Sequence, residues 1–339
     1  MTGLTLNPSE AHPHQTGPPA VEVRNLTKRY GDLAAVDSIN FTVGQGEVFA
    51  FLGPNGAGKS TTIKILCTLA HPTSGRALVA GFDVTTRAKA VRRRIGLVFQ
   101  EQTLDDQLTA EENLRFHAVL YGVPREQIDG RIARVMGLVA LSGRRQDLVS
   151  TFSGGMARRL EIARGMLHTP NVLFLDEPTV GLDPQTRALI WDDIMRLRDE
   201  EGVTIFLTTH YMDEAEYAGR IAIIDRGSIV AVDTPDVLKA SVGRDSVSLE
   251  TADDGAALLA LERAGYVAEK TGDGLTVFVA DEEAAVGPIV AAVGVTVRMV
   301  RAHRPTLDDV FLHFTGREIR EQRGEAVSMF ARAHGARRG

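Results

Sequence analysis

The chain has 339 residues, of which 44% are hydrophobic and 24% charged, and its formal net charge is −6. The length allows about two domains, the composition is that of an ordinary globular protein, and the acidic balance excludes the overall positive field that attracts nucleic acid. The one cysteine, Cys67, excludes an internal disulfide and is typical of a reducing compartment. Its apolar neighbours predict a buried structural thiol.

Residues 1–20 are rich in Pro, His and polar residues and contain no apolar core. They are predicted to form a disordered leader and not a secretory signal. No run of the sequence approaches the ~18 apolar residues that a membrane-spanning helix needs. We therefore expect a cytosolic protein, any membrane function of which comes through a partner.

From residue 21 to about residue 233, strand and helix patterns alternate, which is typical of an α/β sheet protein. Val21 to Val23 and Ile39 to Val43 alternate apolar and polar residues, as half-buried antiparallel strands do. Three almost wholly apolar runs are predicted to be central strands covered on both faces. These runs are Val48 to Leu52, Val172 to Leu175 and Val203 to Leu207.

Within residues 101–170 the strand pattern disappears. Thr109 and Glu112 form a capping-box pattern ahead of one helix, and Ser153 opens another that stops before a proline. This stretch is predicted to be a helical insert in the α/β core.

A glycine-rich segment follows the first apolar run and precedes a helical stretch. It matches the P-loop pattern, in which glycines turn backbone N–H groups toward phosphate oxygens and the helix N-terminus adds partial positive charge. The predicted phosphate-binding residues are Gly53, Pro54, Asn55, Gly56, Ala57, Gly58, Lys59, Ser60 and Thr61. Within this set, Lys59 is expected to reach the β- and γ-phosphates and Ser60 to be a ligand of Mg²⁺.

Two acidic residues, Asp176 and Glu177, stand at the end of the second apolar run. P-loop NTPases hold Mg²⁺ with a carboxylate at this strand position, so Asp176 is expected on the metal side. Glu177 is the candidate catalytic base, because the attacking water needs a positioned proton acceptor. The two motifs together predict an enzyme that binds and hydrolyses a nucleoside triphosphate.

The segment Phe152 to Met156 lies between these motifs and opens a helix. It resembles the signature sequence of the ABC transporter ATPases, usually Leu-Ser-Gly-Gly-Gln. The matching residues are Ser153, Gly154 and Gly155. The resemblance covers about residues 21–235 and implies that two cassettes sandwich two ATP molecules, each signature facing the γ-phosphate held by the opposite subunit. Since a Met side chain lacks the hydrogen bonds of Gln, Met156 is not assigned to the nucleotide.

The resemblance also implies roles for four residues outside these motifs. Tyr30 is similar to the aromatic residue that stacks on adenine, although a half-buried sheet residue would give the same pattern. Gln100 matches the glutamine that contacts Mg²⁺ and the attacking water, and His210 matches the histidine that contacts the γ-phosphate. Asp183 resembles the loop that crosses the dimer interface, and it is also the predicted N-cap of the next helix. The implied catalytic residues are Lys59, Glu177 and His210, and the implied metal ligands are Ser60, Gln100 and Asp176.

Other charged and titratable residues are assigned no site. Arg158 and Arg159 follow the signature on its helix and, with Glu161, are interpreted as surface charge. The nine histidines show no ligand spacing, so no structural metal is predicted.

After Asp233 the pattern changes to β-α-β-β-α-β, the order of a small ferredoxin-like domain. Gly272 to Gly274 is a hairpin signal between its second and third strands. A last amphipathic segment is predicted to form a helix with one apolar face. That face carries Leu307, Val310, Phe311 and Phe314.

The predicted fold class is α/β, a P-loop NTPase ABC cassette followed by a small ferredoxin-like α+β domain. The cassette is expected to combine a mixed core sheet, an antiparallel β subdomain and a helical subdomain. The predicted boundaries are 1–20 for the leader, 21–240 for the cassette with its helical part at about 101–170, 241–316 for the C-terminal domain and 317–339 for a charged flexible tail.

The Ser-Gly-Gly-Met signature and the C-terminal extension resemble the daunorubicin/doxorubicin-resistance subgroup of bacterial ABC-2 type exporters. That resemblance implies an ATPase that uses ATP and Mg²⁺ to energise efflux of a drug-like or hydrophobic compound. The expected partners are a second cassette and a separate multi-span membrane subunit, with no nucleic acid, at the cytoplasmic face of the cell membrane.

Two alternatives remain. Export of a lipid or polysaccharide is open, because the membrane subunit specifies the cargo. A soluble ABC ATPase acting on ribosomes or DNA is disfavoured, because the chain has one P-loop and neither heptads nor paired cysteines.

Overall fold

The computed structural model describes residues 17–271, 274–280 and 282–316. Most of the predicted leader, the predicted tail and two residues of the predicted hairpin, Gly272 and Asp273, lie outside the described residues. The strands are β1 Val21–Tyr30, β2 Leu33–Val43, β3 Val48–Leu52, β4 Ser74–Val79, β5 Phe82–Asp83, β6 Ile95–Val98, β7 Val172–Asp176, β8 Thr204–Thr209, β9 Arg220–Asp225, β10 Ser228–Asp233, β11 Ser246–Thr251, β12 Val267–Thr271, β13 Gly274–Phe278 and β14 Val297–His303. The helices are α1 Lys59–Leu66, α2 Ala88–Arg92, α3 Ala110–Leu120, α4 Arg125–Leu138, α5 Gly154–Met166, α6 Pro184–Glu201, α7 Met212–Ala215, α8 Pro235–Val242, α9 Asp254–Arg263, α10 Glu282–Ala292 and α11 Leu307–Thr315. None of the helices in the described ranges is both long and apolar enough to cross a bilayer.

The central sheet has the strand order β10-β9-β3-β8-β7-β6. Its strands are parallel except for β10, which pairs antiparallel with β9. Every residue of β3 and of β7 is buried, as expected for strands covered on both faces. The prediction of central strands from the apolar runs is confirmed, and the carboxyl ends of β3, β7 and β8 meet at one edge of the sheet.

A second sheet, of order β2-β1-β4-β5, is antiparallel throughout. Its alternate residues Val21, Val23 and Phe41 are buried, and the Phe41 ring stacks on that of Phe49 in the central sheet at a centroid distance of 5.6 Å. One covered face explains the alternation, and this prediction is also confirmed.

The segment between β6 and β7 is helical, as predicted, and contains α3, α4, α5 and two short 3-10 turns. Thr109 caps α3 through reciprocal hydrogen bonds with Glu112. The Ser153 side chain caps α5 by accepting a hydrogen bond from the backbone N–H of Met156. Both caps were predictable because they depend on residues only three positions apart.

The C-terminal part folds as β11-α9-β12-β13-α10-β14, the predicted ferredoxin-like order. Its strands lie in the order β12-β13-β11-β14, and each neighbouring pair is antiparallel. Helices α9 and α10 cover one face and bury a separate small core that includes Val247, Leu261, Val277 and Ile289.

Helix α11 returns to the first part of the chain. Its Leu307, Val310 and Phe311 are buried in the same cluster as Leu238 of α8, and Phe314 packs against that cluster. The predicted apolar face is confirmed, and it fastens the end of the C-terminal part onto the domain that carries the P-loop.

Candidate active site

The P-loop connects β3 to α1. Gly56 and Gly58 have positive φ values of 80° and 109°, a conformation that residues with a Cβ rarely adopt. A Cβ on Gly53 would lie 2.3 Å from the carbonyl oxygen of Ile224, and one on Gly58 would lie 2.4 Å from that of Ala35. The loop therefore fits between β9 and β2 only with glycine there. No side chain caps α1, so its first N–H groups can bind an anion.

The ammonium group of Lys59 is buried beneath this loop. Nζ donates to the carbonyl oxygens of Gly53 at 2.7 Å and Pro54 at 3.2 Å, and it lies 3.1 Å from Oε1 of Glu177. Burial lowers the pKa of Lys59, and the Glu177 carboxylate partly offsets that effect. The Lys59 ammonium is thus held at the P-loop, where it can attract the negative charge of a phosphate group.

Glu177 has a left-handed backbone conformation with a φ of 47°, which is rare outside glycine and persists only where the surroundings enforce it. Its N–H donates to the carbonyl oxygen of Thr208 at 3.2 Å and to Oγ1 of Thr208 at 3.0 Å. Burial alone would raise the pKa of Glu177, but the His210 imidazole and the Lys59 ammonium outweigh burial, and the pKa falls below its ordinary value. Glu177 is therefore an ionised carboxylate at neutral pH and can accept a proton.

Asp176 lies beside the start of α1. Its Oδ1 accepts hydrogen bonds from Oγ of Ser60 at 3.2 Å and from Oγ1 of Thr208 at 2.6 Å. Nε2 of Gln100 lies 3.5 Å from Oε2 of Glu177. Mg²⁺ prefers oxygen ligands, so the adjacent Ser60 hydroxyl and Asp176 carboxylate are chemically suited to hold this ion.

His210 follows β8 at the same edge of the sheet. Its Nδ1 lies 3.5 Å from Oε2 of Glu177. That nitrogen is buried, and among the described residues it has no hydrogen-bond partner. This nitrogen faces the Glu177 carboxylate, whose pKa the imidazole helps to lower.

A second group of predicted site residues lies at the N-termini of α5 and α6. Ser153 and Gly154 are exposed, and Gly155 is so close to α6 that a Cβ would lie 2.2 Å from Cγ2 of Thr186. Asp183 caps α6 by accepting from the N–H and Oγ1 of Thr186, at 3.0 and 2.6 Å, as predicted. The two helix N-termini therefore form one surface.

Tyr30 ends β1 and pairs with Leu33 across the turn into β2. It is 51% exposed, with Nζ of Lys28 at 4.9 Å from the ring centroid. Ala35, two residues after Leu33, borders the P-loop at Gly58. The exposed ring therefore lies at the end of a β-hairpin whose second strand borders the P-loop.

Comparisons with known proteins agree with this geometry. Residues 36–180 match the family described as ABC transporter, and residues 234–315 match the family described as ATP-binding protein DrrA1-3-like, C-terminal domain. The daunorubicin resistance ATP-binding protein DrrA3 of Streptomyces coeruleorubidus is 40% identical over 308 residues, which cover 89% of this chain and 97% of that protein. The chain belongs to the ABC transporter ATP-binding proteins.

Two further matches extend this result. The Nod factor export ATP-binding protein I of Burkholderia orbicola is 38% identical over 89% of this chain and 98% of that protein. The ATP-binding cassette MJ0796, solved as a dimer bound to ADP and Pi, matches with a TM-score of 0.57 and 27% identity over 63% of this chain and 98% of that chain. As a member of this family the chain is an ATP-binding ATPase, and the predicted family and fold class are confirmed. ABC ATP-binding subunits dimerise and work with a membrane partner.

One interpretation from the sequence is wrong: Arg158, Arg159 and Glu161 of this ABC ATPase are not surface charge. The side chains of Arg158 and Glu161 are only 9% and 1% exposed. Nε of Arg159 donates to Oδ2 of Asp193 at 2.6 Å. The helical pattern misleads because α5 is enclosed by other segments of the ABC ATPase that supply partners for its charges.

Two buried threonines were not singled out from the sequence. Thr208 bonds both the Asp176 carboxylate and the backbone N–H of the residue after it. Thr209 donates to Oε2 of the buried Glu214 at 2.8 Å, and Oε1 of Glu214 accepts from Thr179. The available signal was a pair of hydroxyl residues at the end of a mostly apolar strand, since buried polar groups need partners.

Proposed function

We propose that this ATPase energises the efflux of a drug-like or hydrophobic compound through a separate multi-span membrane subunit. The observation that carries the proposal is the 40% identity to a daunorubicin resistance protein over 97% of that protein. ABC ATPases share their nucleotide chemistry whatever they transport. The match of residues 234–315 to a DrrA-like C-terminal domain, which lies outside that shared chemistry, also favours drug export.

In this proposal ATP binds as substrate across the P-loop, with the backbone N–H groups of residues 56–61 facing its phosphates. Tyr30 stacks on the adenine ring. To reach the β- and γ-phosphates, the ammonium of Lys59 has to leave the Glu177 carboxylate, which lies 3.1 Å away. Substrate binding thereby separates the cation from the base.

We assign Glu177 to orient the attacking water and to accept its proton at a carboxylate oxygen. The water oxygen bonds to the γ-phosphorus, the bond to the bridging oxygen breaks, and ADP and phosphate are released. His210 is assigned to contact the γ-phosphate. Ser60, Gln100 and Asp176 would hold Mg²⁺, which supplies positive charge against the charge developing on the phosphoryl oxygens.

Ser153, Gly154, Gly155 and Asp183 are assigned to the ATP held by a second copy of the chain. In support, the N-termini of α5 and α6 lie side by side, and helix N-termini attract anions. The similar cassette MJ0796 is a dimer with ADP and Pi.

The membrane subunit is proposed to bind α3. Phe116, Val119 and Leu120 of this helix are 58%, 61% and 64% exposed. Their spacing places them on one helical face, and contiguous exposed apolar groups mark contact surfaces. This contact would hold the chain at the cytoplasmic face of the cell membrane.

Export of a lipid or polysaccharide is the second candidate function. It is favoured by the 38% identity to a protein named for Nod factor export, over 98% of that protein. The cargo passes through the membrane subunit, so the ATPase site is expected to be the same in both cases.

Inside-out membrane vesicles that contain the chain and its membrane subunit distinguish these functions. We expect ATP to drive accumulation of daunorubicin, used as the probe, and the Glu177→Gln variant to show none. ATP-driven accumulation of a fluorescent glycolipid instead would favour the second candidate. Steady ATP hydrolysis without accumulation of either probe would contradict both.

A further inference from the structure

The guanidinium group of Arg158 joins α5 to two segments at the nucleotide site. Nη2 and Nε donate to the consecutive carbonyl oxygens of residues 176–178, at 3.4, 3.0 and 2.6 Å. Nη1 donates to the carbonyl oxygen of Phe99 and, at 3.0 Å, to Oε2 of Glu161. A guanidinium carries five N–H donors in a rigid fork, and here each of the five has an acceptor.

These acceptors flank the residues on which the proposed hydrolysis depends. Phe99 directly precedes Gln100, and one of the carbonyl groups belongs to Glu177 itself. Glu161 extends the arrangement, because its Oε1 accepts from the N–H and Oγ1 of Thr103 at 2.8 and 3.1 Å. Helix α5 therefore bonds the segment of residues 99–103, here called the Gln100 loop, at Phe99 before Gln100 and at Thr103 after it.

The same helix begins at Ser153, in the group assigned to the ATP of the second copy. Arg158 lies little more than one turn further along α5, since a turn takes about 3.6 residues. A short rigid element thus links Glu177 of one ATP site to the residues that face the other site.

We propose that Arg158 is a positioning residue for ATP hydrolysis, which fixes Glu177 and Gln100 relative to the N-terminus of α5. The inference rests on the proposed role of Glu177 as the base. Lysine keeps the positive charge but has three donors on a flexible stem, so it cannot satisfy the five acceptors of the fork. A displacement of about 1 Å at a catalytic group can lower the rate about 100-fold.

Arg159 offers a matched control. It is the next residue of α5 and is also largely buried, but its guanidinium bonds both carboxylate oxygens of Asp193 on α6, at 2.6 and 3.3 Å. Replacing it disturbs the same helix without touching the carbonyl groups beside Glu177 and Gln100.

The test compares Arg158→Lys with Arg159→Lys in the full-length chain, each alone and combined with Glu177→Gln. We expect Arg158→Lys to lower kcat about 10- to 100-fold, with the KM and Kd for ATP and the Tm close to those of Arg159→Lys. Arg159→Lys should leave kcat close to that of the original chain, because the Arg159 guanidinium bonds Asp193 and not the carbonyl groups beside Glu177 and Gln100. In the Glu177→Gln background, Arg158→Lys should lose most of its effect, because two changes acting through one group are not additive.

Equal kcat values for the two lysine variants would overturn the inference, as would a parallel loss of ATP affinity and kcat in Arg158→Lys. Glu161→Gln provides a second route if Arg158→Lys does not fold. It weakens the same attachment of the Gln100 loop, so an unchanged kcat in that variant would also overturn the inference. A normal rate of ATP hydrolysis in Glu177→Gln would contradict both the role of Glu177 as the base and the positioning role of Arg158. Slow hydrolysis in Glu177→Gln together with a normal rate in Arg158→Lys would contradict the positioning role alone.

Discussion

Replacing Glu177 by Gln changes one carboxylate oxygen to an amide nitrogen and removes a negative charge from the centre of the site. The structure predicts two effects of opposite sign. The variant loses the proposed base, so hydrolysis should slow. It also loses the ion pair that Nζ of Lys59 makes with Oε1 at 3.1 Å, so the ammonium becomes free to bind phosphate.

The size of each effect follows from the geometry. General base catalysis contributes about 10²- to 10⁴-fold, so kcat should fall by that factor, which corresponds to about 3 to 5 kcal/mol in the barrier. Two unit charges at the Lys59–Glu177 distance of 3.1 Å attract by about 5 kcal/mol at an effective dielectric constant of about 20. The desolvation cost of burying the pair cancels most of this attraction. We therefore expect ATP to bind about tenfold more tightly, or about 1.4 kcal/mol.

Phosphate release and equilibrium ATP binding by the full-length chain measure both effects. Glu111→Gln is the control, because it makes the same chemical change at a carboxylate whose ion pairs are with Arg115 and Arg145 in the helical part. A kcat of Glu177→Gln within about threefold of the original chain would refute the role of base. Weaker ATP binding would refute the argument from the ion pair.

Three further predictions concern the surface formed by the N-termini of α5 and α6, the packing of α11 against the domain that carries the P-loop, and stability in acid. Gly155→Ala should weaken ATP-induced dimerisation, because the new Cβ would lie 2.2 Å from Cγ2 of Thr186 and disturb the surface formed by the N-termini of α5 and α6. Size-exclusion chromatography in the Glu177→Gln background measures this effect. Unchanged dimerisation would contradict the assignment of this surface to the second copy. Phe311→Ala should lower the unfolding free energy by about 3–5 kcal/mol, because the ring is buried in the core cluster. Leu312→Ala, at an exposed position of the same helix, should not lower it. Equal denaturation midpoints for the two variants would contradict the packing of α11 against this cluster. Hydrogen bonds from neighbouring arginines lower the pKa of Glu111 to about 2 from 4.5. The pKa of Glu111 is lower in the folded than in the unfolded chain, so the ionised carboxylate stabilises the fold above pH 4.5, and this stabilisation is lost as the pH falls toward 2. Glu111→Gln should abolish this part of the pH dependence of the unfolding free energy. An unchanged slope of unfolding free energy against pH in the variant would contradict the prediction.

The features predicted correctly are those with a local signal. The P-loop is specified by glycines at positions where a Cβ has no room, as at Gly53 and Gly58. The buried strands β3 and β7 appear as continuous apolar runs because both of their faces are covered. The carboxylates at the end of β7 could be placed beside the P-loop because the strands of a parallel sheet end at one edge.

The features that were missed depend on contacts between distant segments. Arg158 looks like an ordinary helical surface charge, and its burial follows from carbonyl groups of residues 99 and 176–178, which no local pattern reveals. The apolar stripe of α11 indicates that one face is buried, but not that it packs against Leu238. Periodicity identifies a face to be covered and leaves its partner unspecified.

The central claim is that this ATPase drives transport through a membrane subunit. A pull-down of the tagged full-length chain from its native membranes in mild detergent, followed by mass spectrometry, tests it most directly. We expect a multi-span membrane protein to accompany the chain at near-equal stoichiometry. Recovery of the chain in the soluble fraction, with ribosomal or DNA-repair proteins and no membrane protein, would contradict the claim.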